Sequence, residues 1–179
     1  MTVYDDDILL ACKDNKTGNI RKLIKKKFRK KDVGNVNFII RIKFTKHADG
    51  YFIDQTRYLQ EILRKFKMTN ATPSRNATPI DNEELRKMKV NRTKYKSANG
   101  NLLYLSICTR PDIIYAVSKV TPKSKDSYLE DWQNVLKILR TIGYGINFLR
   151  NSKVKAFSDA DYAGDPKTRR STTRFIINL

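Results

Sequence analysis

The order in which apolar periodicity changes along the chain restricts the fold more than any other feature. Strand-like patterns stand at both ends of the 179 residues and helical spacing fills the middle. Thr2-Val3-Tyr4 and Ile8-Leu9-Leu10-Ala11-Cys12 flank Asp5-Asp6-Asp7, which predicts a hairpin with acids at its tip. Over 17–30, Ile20, Leu23, Ile24 and Phe28 recur at helical spacing, with Arg21, Lys22, Lys25, Lys26, Arg29 and Lys30 around them. The segment Asp32–Gly34 ends that helix. Phe38–Phe44 and Tyr51–Ile53 flank Asp49-Gly50, a hairpin signal. Asp54 is expected to cap an amphipathic helix carrying Tyr58, Leu59, Ile62, Leu63 and Phe66. Residues 69–93, with Pro73 and Pro79, read as a linker with a helical turn near Glu83–Met88. Helical patterns resume at Leu102–Leu105, from Pro111, and around Trp132. The tail returns to strand at Val154–Asp161 and Ser171–Leu179. The class is α+β.

Composition narrows the function. Lys and Arg number 37 against 18 Asp and Glu, for a net charge of +19 and a pI near 10.0. A chain so basic points to nucleic acid, because each cation placed on a phosphate releases a condensed counterion. Nine Tyr and eight Phe leave enough apolar area for a core and argue against full disorder. No apolar run approaches the ~18 residues of a membrane span. No basic leader precedes the first apolar run, so an intracellular place, cytoplasmic or nuclear, is expected. Cys12 and Cys108 fit neither a disulfide framework nor a CxxC metal site, and a lone His47 removes most Cys/His zinc sites.

The acidic triplet carries the chemistry. Three adjacent aspartates repel one another unless a cation or water offsets them. Two at a hairpin tip can hold Mg²⁺, a hard ion that takes carboxylate and phosphate oxygens. A pair of such ions stabilises the attacking and leaving oxygens of a phosphoryl transfer. Taken alone, the triplet is more often a solvated acidic turn. The ten basic residues over Lys13–Lys31 fit a phosphate-tracking helix and a solvated face equally well. Cys12, Cys108, Trp132 and the aromatics Tyr4, Phe28, Phe38 and Phe66 are expected to pack, and His47 to be exposed.

Read in order, the segments resemble a known family. Tyr4-Asp5-Asp6-Asp7-Ile8-Leu9-Leu10 resembles the Tyr-x-Asp-Asp hairpin of reverse transcriptases. Asp32-Val33-Gly34, then Ile39-Ile40-Arg41-Ile42, is similar to the Asp-Leu-Gly and Phe-Leu-Gly-Ile of copia-type retrotransposon polymerases. Thr109-Arg110-Pro111-Asp112-Ile113 continues the match, and Ser158-Asp159-Ala160-Asp161-Tyr162-Ala163-Gly164 with Arg170-Ser171-Thr172-Thr173 looks like the start of an RNase H domain.

The resemblance implies roles residue by residue. Asp6 and Asp7 match the polymerase's paired metal-binding carboxylates, and Asp159 the first of RNase H, with Mg²⁺ as the ion. Lys25, Lys26, Lys27, Arg29, Lys30 and Arg41 become candidate contacts to an RNA/DNA template–primer. Residues 1–53 correspond to the end of a palm with its primer-holding hairpin, and 54–94 to a thumb-like helix and linker. Residues 95–150 correspond to connecting helices, and 151–179 to the first two strands of an RNase H-like sheet. The expected partners are the template–primer and further Pol polyprotein segments, with no membrane.

Departures from the family pattern imply altered function. Asp5 replaces an apolar residue beside the acids. Arg41 and Arg174 replace glycines, which suggests damage where a side chain does not fit. Asn99 replaces an apolar residue and Asp131 a histidine. The family's earlier polymerase aspartate and later RNase H acids are not matched within these residues, so the chain alone is expected to be inactive. The rival expectations are a non-catalytic basic nucleic-acid-binding module and a transposon relic that does not fold stably.

Overall fold

The computed structural model describes residues 2–5, 7–12, 14–28, 31–74, 84–141, 144–150, 153, 155–161 and 172–178. Mixed helix and sheet is the observed class. The N-terminal hairpin pairs β1 (Thr2–Tyr4) with β2 (Asp7–Leu9) antiparallel, in the register Tyr4↔Asp7. The helix α1 (Asp14–Lys27) follows. Asp32 halts the chain beyond it: its Oδ1 accepts from Gly34 N–H at 3.0 Å, and Gly34 takes φ 83°, which suits a residue without a side chain.

A four-stranded antiparallel sheet runs in order β3 (Phe38–Ile39), β4 (Ile42–Lys46), β5 (Gly50–Asp54) and β6 (Ile146–Leu149). The expected strand over Phe38–Phe44 is therefore two strands. Ile39 pairs with Ile42, and the residues between them, Ile40 and Arg41, both have positive φ (49° and 60°). That is the twist of a two-residue hairpin loop, obtained here without glycine. The chain turns one residue earlier than the Asp49-Gly50 signal, since His47 N–H donates to Gly50 O at 2.9 Å and Gly50 already opens β5, where it is needed for another reason. A Cβ on Gly50 would lie 1.8 Å from the Phe148 carbonyl oxygen, and one on Gly145 2.4 Å from that of Ile53. Glycines at these two points let β6 approach β5. Strand β6 lies within 95–150, the segment expected to carry connecting helices; among the described residues the helices there end at Leu139.

The core is helical. It joins α2 (Thr56–Lys65), α3 (Arg92–Cys108), α4 (Ile114–Val120) and α5 (Leu129–Leu139) through Leu59, Ile62, Tyr95, Leu102, Val117, Val135 and Leu139, all buried. Gln55, not Asp54, occupies the cap position of α2; Asp54 Oδ1 instead accepts from Thr56 N–H at 2.9 Å. Glu84–Lys87 forms the expected helical turn, here a 3-10 turn. The segment behind it is fastened to the start of α5 by Val90 N–H to Ser127 O and Leu129 N–H to Met88 O. At the C-terminal end β7 (Lys155–Asp161) pairs antiparallel with β8 (Thr172–Asn178) as a separate two-stranded sheet.

Trp132 is buried as expected, at an edge-on 5.7 Å from Phe66. Three other aromatics expected to pack do not: Tyr4, Phe28 and Phe38 are each about half exposed. Cys12 is likewise exposed rather than buried. In each case the element carrying the residue is a hairpin or helix with little of the helical core against it.

Candidate functional site

The acidic tip is a tight turn. Asp5 takes φ 44°, a left-handed conformation that Asp adopts more readily than an apolar residue does. Its presence beside the paired acids therefore suits the backbone. Asp7, exposed, opens β2; Asp6 lies outside the described residues. Neither Asp5 nor Asp7 has a Lys or Arg within ion-pair distance among the described residues, so both carboxylates face water. No three His, Cys, Asp or Glu among the described residues gather into a metal-holding group. The donors at the tip are hard oxygens, the chemistry a hard divalent ion takes.

The β3–β4 turn is the best-built feature near this tip. Its left-handed backbone is held from both sides. Tyr104 of α3 donates its hydroxyl hydrogen to the Ile40 carbonyl. The Arg41 guanidinium lies 5.0 Å over the Tyr58 ring of α2 and 3.6 Å from Glu61. Tyr58 meets Tyr104 edge-on at 5.4 Å and donates to Asn101 Oδ1 at 3.1 Å. Burial, aided by Cys108, Tyr4 and Tyr58, pushes the Tyr104 phenol up to about 12. The hydroxyl thus stays protonated and remains a donor across the physiological range. Tyr4, two residues before Asp6, is close enough to contribute to that shift, which brings the acidic hairpin near α3.

Arg41, expected both as damage and as a phosphate contact, is engaged by α2, and its side chain remains 60% exposed. Of the other expected contacts, Lys25 sits 3.3 Å from Asp32, whose carboxyl is held below its usual range by Gly34 N–H and Lys25. Lys26 and Lys27 are exposed and carry no ion pair among the described residues. Arg29 and Lys30 lie outside the described residues. Leu23 of α1 and Phe28 just after it stay exposed, while Ile20 and Ile24 are half-buried, so the apolar stripe of α1 is only partly covered.

Asp159 lies mid-strand in β7, directly across from Arg174 in β8. Arg174 stands at the position where the resemblance expects a glycine.

The Thr109-Arg110-Pro111-Asp112 motif is architectural. Thr109 Oγ1 donates to Gln55 Oε1 at 2.9 Å, tying the end of α3 to the cap of α2. Arg110, almost fully buried, forks onto Asp112 with Nε and Nη2 at 2.9 and 2.8 Å, and Nη1 donates to Thr141 O at 2.7 Å. Sequence reasoning found the motif but not this role, since Thr141 and Gln55 lie 31 and 54 residues away.

A family profile described as reverse transcriptase (RNA-dependent DNA polymerase) matches residues 1–82. The whole chain is 35% identical to an uncharacterized mitochondrial protein of Arabidopsis thaliana, covering 78% of it. It is 32% identical to a retrovirus-related Pol polyprotein from a Nicotiana tabacum transposon and 30% identical to one from an Arabidopsis thaliana transposon. The chain spans only 15% and 13% of those two polyproteins. No solved structure matches.

Proposed function

Because this chain belongs to the reverse transcriptase family of copia-type retrotransposon Pol polyproteins, we propose that it serves RNA-directed DNA synthesis on a template–primer. The observation that carries the reading is an acidic two-strand hairpin followed along the chain by a second hairpin clamped on α2 and α3. Asp6 and Asp7 would hold Mg²⁺, which when bound lowers the barrier to attack of the primer 3′-hydroxyl on the incoming nucleotide. The chain's own residues do the rest. Tyr104, Tyr58 and Arg41 hold the β3–β4 turn still, where the resemblance puts the primer end. Lys26 and Lys27 supply exposed charge for phosphate. Asp159 stands as the first carboxylate of an RNase H-like strand, and the partners are RNA or DNA and other segments of a Pol polyprotein.

We further propose that these 179 residues by themselves bind a template–primer without extending it, because the chain matches only two of the family's polymerase carboxylates and one of RNase H. The non-catalytic binder is favoured over no binding at all by Lys26 and Lys27 of α1, exposed and without an ion pair among the described residues. No helix among the described residues is long and apolar enough to cross a membrane.

Primer extension with Mg²⁺, run beside a binding titration, tests both statements. The expected outcome is binding that falls steeply with salt and no extension. Extension that disappears in Asp6→Asn would overturn the inactivity, and binding insensitive to salt would overturn the phosphate reading.

A further inference from the structure

One surface is used by nothing above. On the sheet, Tyr51 of β5 lies opposite Lys46 of β4 on one side and Phe148 of β6 on the other. Cross-strand partners project from the same face, so the three form a row across three strands. Tyr51 is 39% and Phe148 50% exposed. Their rings make no contact with each other or with any other aromatic ring among the described residues. Further along the same face Ile53 is buried, so the pair stands at the open end of a face that is covered beyond it. Arg150 follows β6, and its N–H is fixed on the Asp49 carbonyl at 2.8 Å. Neither Lys46 nor Arg150 has an acidic partner within ion-pair distance among the described residues.

Two flat, solvated apolar rings on a rigid antiparallel sheet, bracketed by unspent cations, match one chemistry well. Unpaired bases stack on such rings regardless of sequence, and phosphates pair with the flanking cations. Duplex bases are stacked on each other and offer no free face. Charge complementarity sets the choice of occupant: a chain at +19 carrying cations beside its exposed aromatics suits a polyanion better than a second copy of itself. We infer that Tyr51 and Phe148, with Lys46 and Arg150, form a stacking platform for single-stranded nucleic acid. This rests on the template–primer reading and extends it to unpaired template or primer strand, on a surface separate from the acidic hairpin and from α1.

The experiment is a fluorescence anisotropy titration of the full chain with oligothymidine and with a duplex, over a salt series. The double variant Tyr51→Leu, Phe148→Leu should bind oligothymidine about 10-fold or more weakly. Its salt slope should be unchanged, since no phosphate contact is removed, and duplex binding should be kept. Phe148→Trp should retain binding, and its added fluorescence should be quenched by oligothymidine, a readout that does not depend on how the leucine variant folds. Unchanged affinity in the double variant, or no quenching, overturns the platform. If Lys26→Glu with Lys27→Glu then abolishes binding, the template–primer reading stands without it. An equal loss for duplex and single strand overturns the claim for unpaired bases. A dimer that the double variant dissolves, with oligothymidine binding intact, makes the face a contact between copies. Absence of any nucleic-acid binding by the wild type overturns both the platform and the reading beneath it.

Discussion

At the scale of single residues, the β3–β4 turn shows how arginine is held where the resemblance expects glycine. Arg41 stands where the resemblance expects glycine, and its φ of 60° is the conformation that glycine adopts freely. What offsets the strain is lateral: the guanidinium lies over Tyr58 and beside Glu61, while Tyr104 holds the neighbouring carbonyl. The two contributions separate by mutation. Arg41→Ala keeps the left-handed strain and loses the contacts. Arg41→Gly loses the same contacts and removes the strain. The glycine variant should therefore be more stable than the alanine variant by about 1 kcal/mol, the usual penalty of a left-handed residue with a Cβ. Urea unfolding of both variants beside the wild type measures the difference, and an alanine variant as stable as the glycine one would show the turn to be unstrained. Asn99 and Asp131 tell the same story of replaced family residues finding partners. Asn99 Nδ2 donates to Ser124 Oγ at 2.9 Å, and Asp131 Oδ2 accepts from Tyr128 N–H at 2.9 Å to close the start of α5.

At the scale of elements, long periodic stretches were legible and short strands were not. Tyr58, Leu59, Ile62 and Leu63 gave α2 because a helix this amphipathic has one face to bury. Strand β6 was missed because Ile146–Leu149 is four residues with no alternation, and what makes it a strand is a distant partner, Gly50–Ile53. The split of Phe38–Phe44 was missed because neither Ile40 nor Arg41 is a turn residue by type. The acidic hairpin was legible from Tyr4 to Asp7, yet the exposed aromatic row was not, since nothing local says that Tyr51 and Phe148 share a face. The Thr-Arg-Pro-Asp motif was legible as a pattern and illegible as a mechanism. Its Arg110 side chain is 4% exposed against 45% for Asp112, so the cation is the member that depends on its partner. Asp112→Ala strands that guanidinium and should destabilise by about 3 kcal/mol. Arg110→Met in the same background should recover part of the loss, because the uncompensated charge is gone. Chemical denaturation of the single and double variants decides it: a double variant less stable than Asp112→Ala would mean that packing and the Thr141 bonds outweigh the charge.

At the scale of the molecule, stability is unevenly distributed. The helices α2 to α5 share one buried cluster, with Tyr95, Leu102, Val135 and Leu139 fully enclosed. Among the described residues the hairpins β1–β2 and β7–β8 each form a two-stranded sheet, and an isolated two-stranded hairpin is marginal in water. Opening free energies should therefore form two tiers, since local openings need only break the contacts of the unit that opens. Amides of α3 and α5 should exchange with deuterium orders of magnitude more slowly than those of β2, β7 and β8. Uniform slow exchange across the chain would mean that the hairpins are backed as firmly as the core, and uniform fast exchange would support the relic that does not fold stably. The same measurement with a template–primer carries the functional reading one step further. The acidic hairpin is a two-stranded unit that its own fold stabilises little, so it gains from a ligand that orders it. Added template–primer should slow exchange in β1–β2 and at the β3–β4 turn, and oligothymidine in β5–β6. Neither should change β7–β8, where the register already sets Arg174 across from Asp159.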